Sequence, residues 1–146
     1  MHSTYAVRRS HVFLTLMLSL VVLTAYGADM NRLSDYQWKN RVILVQAESG
    51  NTDALDMLQQ AQPELDARDI AWFVKTGSDL VSNQNAVSSS LEKDIKDVLE
   101  DSRPDERVLL IGKDGGIKSR ESSLDLEAIF SRIDSMPMRV REMRND

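Results

Sequence analysis

The chain has 146 residues, with 18 basic and 23 acidic side chains, two histidines and no cysteine, for a formal net charge of −5. That acidic balance argues against nucleic acid and anionic membrane as general partners, because both demand a basic face. Without cysteine the chain has no disulfide, thiol redox centre or thiolate metal site, and its stability must come from packing.

The first 27 residues have the three-part layout of an export signal. Arg8 and Arg9 lie near the start, residues 12–23 form a mainly apolar run, and Thr24-Ala25-Tyr26-Gly27 follows. Ala25 and Gly27 are small residues two apart, which predicts cleavage after Gly27 or Ala28. The apolar run of 12 residues is short of the roughly 20 that a spanning helix needs. Both histidines, His2 and His11, fall in this leader. The mature domain, residues 28–146, is therefore expected to lack histidine as well as cysteine, which removes Ser-His-Asp and Cys-His nucleophile pairs and imidazole zinc sites. Cleavage removes two arginines and no acid, taking the net charge from −5 to −7. The product is expected in the periplasm or outside the cell, off the membrane.

The run Arg-Val-Ile-Leu-Val-Gln-Ala over residues 41–47 is β-branched and almost continuously apolar, as in a central parallel strand covered on both faces. Asn51 or Thr52 caps a following helix, with Leu55, Leu58 and Leu65 on one side and a break near Pro63. Residues 70–74, Ile-Ala-Trp-Phe-Val, read as a second strand. Residues 76–90 are rich in serine and asparagine, with Gly77 near the start, and read as a flexible loop. Ser89 and Glu92 make a capping box for a helix with Leu91, Ile95, Val98 and Leu99 inward. Residues 108–111 and 117–120 form a hairpin across Lys113-Asp114-Gly115-Gly116. That turn shares its glycines with phosphate loops, but those precede a helix and this one separates two strands. Asp125 caps a last helix carrying Leu126, Ile129, Phe130 and Ile133, which ends before Pro137. Residues 138–146 read as a charged, solvated tail.

Strand, helix, strand, helix, hairpin, helix is the element order of the thioredoxin fold, here expected as a mixed four-stranded sheet with helices on both faces. Three segments carry a family resemblance: Leu33-Ser34-Asp35-Tyr36-Gln37-Trp38-Lys39-Asn40-Arg41, Leu110-Ile111-Gly112-Lys113-Asp114-Gly115-Gly116-Ile117-Lys118, and Ile133-Asp134-Ser135-Met136-Pro137-Met138-Arg139. Together they resemble domain-of-unknown-function family 4174, small exported bacterial proteins with relatives among secreted animal matrix proteins. The resemblance implies a thioredoxin-like domain and brings no catalytic motif. Where a redox enzyme of that fold has its cysteine pair, this chain has Glu48-Ser49-Gly50-Asn51.

In such a topology the end of the first strand and the start of the antiparallel third share one edge of the sheet. Glu48, Ser49, Gly50 and Asn51 are then expected near Arg103 and Pro104, as a candidate partner-binding edge where the helix start and Arg103 would hold an anion. Capping alone is the simpler account of that helix start, and Glu48 and Asp53 oppose an anion by charge. Tyr36 and Trp38, two apart, would share one face of an extended segment as a lid over the sheet or as interface anchors. Asp94, Asp97, Glu100 and Asp101 read as a solvated acidic face. No cofactor or metal site is expected. The expected role is a non-catalytic module that binds a protein of the envelope or exterior. The alternatives are a small hydrolase pairing Glu48 with a neighbouring acid, and a structural envelope component.

Overall fold

A computed structural model of the chain describes residues 30–145. The expected export leader and its expected cleavage point lie outside the described residues, within which no helix is long and apolar enough to cross a membrane. After a 3-10 turn at Leu33–Tyr36, the elements are β1 (Arg41–Ala47), α1 (Asp53–Gln60), α2 (Gln62–Asp66), β2 (Ile70–Thr76), β3 (Asp79–Ser82), α3 (Ser89–Glu100), β4 (Val108–Ile111), β5 (Ile117–Glu121), α4 (Leu126–Asp134) and α5 (Pro137–Asn145).

The strands form one mixed sheet in the order β3-β2-β1-β4-β5. β1 pairs parallel to β2, with Ile43 beside Trp72, and antiparallel to β4, with Ile43 beside Leu110. Its first five residues are all buried, as expected of a central strand with helices over both faces. Alternate side chains divide the core in two. Ile43, Val45, Trp72, Val74 and Leu110 meet Leu58, Leu65, Ile129 and Ile133 from α1, α2 and α4. Val42, Leu44, Phe73 and Leu109 meet Leu91 and Ile95 of α3 and Tyr36 of the 3-10 turn. Pro63 opens α2, so α1 stops at Gln60 and the crossover bends there.

Four expectations need correction. The sheet has five strands and not four, because the expected loop at 76–90 contains β3, which turns at Gly77 (φ 58°) and pairs antiparallel with β2. Asn83 continues that pairing with its side chain, accepting from the Trp72 N–H at 3.0 Å and donating to the Ile70 carbonyl at 3.1 Å. The cap of α3 is Ser88, one residue earlier than expected, whose Oγ accepts from the Leu91 N–H at 3.1 Å. Residues 138–145 are not a solvated tail but most of α5, held by ion pairs to the body of the domain. Tyr36 and Trp38 share no face: Tyr36 is buried, whereas Trp38 is 65% exposed at φ 66°. The Trp38 N–H donates to the Lys113 carbonyl at 2.6 Å, and this bond turns the chain outward where an extended segment was expected.

Asp125 caps α4 as expected, accepting from the Ala128 N–H at 3.0 Å. Of the acidic residues along α3 and at its end, Asp97, Glu100 and Asp101 are exposed as expected, whereas Asp94 is half-buried. Asp94 takes two hydrogen bonds from Arg32, at 2.8 and 2.9 Å, and its carboxyl is held below the usual range by them.

Candidate functional site

The carboxyl end of β1 gathers the loop after β1, the β2–β3 turn, the stretch before β4 and the residues after β5. β1 stops being buried at Gln46, and the chain turns through Gly50 at φ 81° to begin α1. Asn51 accepts from the Asp53 N–H at 2.9 Å, and its own N–H donates to the Glu48 carbonyl at 3.0 Å, so Asn51 shapes the entry to α1. Thr52 occupies the cap position without a capping hydrogen bond. Ser49 lies against the β2–β3 turn, its Oγ 2.9 Å from where a Cβ on Gly77 would stand.

The β1–β4 pairing runs one step past the strands, with the Gln46 N–H donating to the Arg107 carbonyl at 2.8 Å. This bond places the Arg107 side chain beside the loop, where Nη1 donates to Glu48 Oε1 at 3.0 Å. The Glu48–Arg107 pair borders two recesses. On one side a cavity of about 300 Å³ has an apolar floor of Val45, Ala54, Met57, Val108 and Leu124 and a rim of Glu48, Asn51, Asp53, Arg107, Ser122 and Ser123. On the other a second recess of about 300 Å³ runs from Glu48 to Leu99, Ser102, Arg103 and Pro104.

Glu48, Arg103 and Pro104 therefore share one recess and Asn51 lies on the other, with the ion pair between them. Arg103 turns away from the helix start. Its guanidinium binds Glu106 at 2.7 Å, and Glu106 also accepts from Arg120 at 3.0 Å. Burial works to raise the Glu106 carboxyl, and the hydrogen bonds from Arg103 outweigh it, so the group sits below its ordinary value. The start of α1 carries Asp53 and Asp56 in its first turn, which favours the helix dipole but opposes an anion.

Sequence reasoning missed Arg107, Met57 and the 122–124 turn. Arg107 was within reach of the same argument, since it immediately precedes the β4 run and must sit opposite the end of β1. Met57 is 40% exposed on a helix whose inward side is marked by leucines, and nothing in helical spacing reveals that it borders a recess. Among the described residues no group of three or more histidine, cysteine, aspartate or glutamate side chains gathers as a metal site.

Comparison with known proteins adds one relationship. A family model described as a domain of unknown function, DUF4174, matches residues 32–142. No curated protein and no solved structure matches the chain.

Proposed function

We propose that this chain, which belongs to the DUF4174 family, is an exported thioredoxin-like domain that binds another protein at the carboxyl end of β1 and catalyses no reaction itself. The observation that carries this reading is the recess beside Glu48 and Arg107, an apolar floor open to solvent under a polar rim. Such a seat suits one apolar side chain from a partner, with Met57 as an adaptable wall and the rim fixing orientation. The thioredoxin-like reading is supported by β2-β1-β4-β5, in which β2 is parallel to β1 and β4 and β5 alternate in direction. On that reading β3 is an addition at one edge. Export is supported by the layout of residues 1–27, and the non-catalytic reading by the lack of any cysteine or histidine after residue 27.

A hydrolase built on Glu48 has less to rest on, because the side chain paired with Glu48 is Arg107 and not a second acid. Purified mature protein is predicted to reduce no disulfide, consume no peroxide and turn over nothing in a hydrolase panel. Turnover that disappears in Glu48→Gln would contradict the proposal and establish the enzyme.

A further inference from the structure

The amino end of β1, opposite the recess, holds Arg41, the one buried charged residue among those described. Its guanidinium is 1% exposed and has two partners. Nη1 donates to the Arg68 carbonyl at 2.8 Å, and Nη2 faces both oxygens of Glu142, at 3.3 and 3.2 Å. Glu142 belongs to α5, 101 residues along the chain. The same carboxylate accepts from Lys113 Nζ at 2.8 Å, and Arg139 Nη1 stands 3.6 Å away. Cations from β1, from the β4–β5 turn and from α5 itself thus converge on one acid.

The neighbouring charges are otherwise engaged. Asp69 takes Lys113 at 2.7 Å, while Asp134 takes Arg68 at 2.7 Å and faces Arg139 at 3.6 Å. α5 itself buries no residue and leaves Val140 and Met143 exposed. Its hold on the domain is mainly ionic, and Glu142 is the carboxylate on which it turns.

We infer that Arg41 and Lys113 form a carboxylate-binding site which the chain fills with its own Glu142, making α5 a strap latched by one replaceable acid. A buried guanidinium left with a single carbonyl is costly, so the site must either take another carboxylate or open to water. Nη2 of Arg41, which faces both carboxylate oxygens, and the ammonium of Lys113 suit a carboxylate approached from two sides. An acidic side chain from a partner competes for the same place, and its entry frees α5.

The test uses the whole mature protein carrying Glu142→Ala. Amide exchange in α5 should quicken by about tenfold or more beyond any change in β1 and β2. The melting temperature should fall by roughly 10 °C. Formate should then raise it saturably, beyond chloride at equal ionic strength, in the variant and not in the wild type. Unchanged exchange in α5, or formate acting only as chloride does, overturns the inference. Glu142→Gln, which keeps the side chain's shape, serves if the alanine variant does not fold. It carries the same expectation for α5, and full protection there is equally fatal.

Discussion

Trp38 and Tyr36 spend stability in opposite ways. Trp38 holds φ at 66° with its ring largely in water, a conformation that costs a bulky residue roughly 1–3 kcal/mol. Trp38→Gly is therefore predicted to stabilise the domain by about 1 kcal/mol in urea denaturation, and destabilisation would show that the ring makes contacts that outweigh the strain. The Tyr36 hydroxyl is buried and has no hydrogen-bond partner among the described residues, and burial, followed by the charge of Asp35, pushes its pKa up to about 12. Tyr36→Phe removes an unsatisfied polar group while keeping the edge-on contact with Phe73. It should be neutral or stabilising by up to about 1 kcal/mol, whereas a loss greater than that would mean that the hydroxyl has a water or side-chain partner. Neither residue's setting was legible in the sequence. Their spacing of two implied a shared face, but the 3-10 turn and the bond from Trp38 to the Lys113 carbonyl are set by a contact 75 positions away.

Among the elements, β1 and the helix carrying Leu91 and Ile95 declared themselves because burial on two faces, or along one helical stripe, leaves a dense apolar pattern. β3 and α5 did not, because their attachments leave little apolar pattern: β3 is held by a hairpin to β2, and α5 by ion pairs to residues as far as 101 positions away. β3 offers only Leu80 and Val81 as apolar residues, and its pairing is extended by Asn83, a residue type that ordinarily signals a loop. Asn83→Ala is expected to cost about 1–2 kcal/mol, since two backbone groups on the outer edge of β2 lose their partner. Unaltered exchange at the Trp72 amide would refute that role.

The attachment of α5 depends on protonation. Burial works to raise the Glu142 carboxyl, but the hydrogen bond from Lys113 and the charge of Arg41 outweigh it, leaving the group below its ordinary value. Asp134 is lowered too, chiefly by the hydrogen bond from Arg68. A carboxyl lowered in the folded state adds stability that is complete above its unfolded pKa, about 4, and is lost as pH falls through the folded value. Protection of α5 is thus predicted to stay flat from pH 7 to about 5 and to fall first among the helices below about 4. A loss centred near pH 6 would assign the latch to some other group.

At the scale of the whole molecule, β1 separates two polar ends. Its amino end is closed by α5 over Arg41, and its carboxyl end is open, with the recess beside Glu48 and Arg107. The candidate edge was legible from topology alone, because a parallel crossover followed by an antiparallel strand brings the end of β1 to the start of β4. The partition of that edge was not, because it depends on which arginine pairs with which acid: Arg103 turns to Glu106, and Arg107 meets Glu48. The most direct test of binding at this edge is crosslinking in intact cells of the tagged protein beside its Met57→Glu variant, with mass spectrometry of what is captured and of the bait's first peptide. The account predicts a first peptide beginning at Ala28 or Asp29 and one dominant exported partner lost in the variant, where a charge sits at the apolar floor. A partner captured equally by both forms, or a bait retaining residues before Gly27, would contradict it.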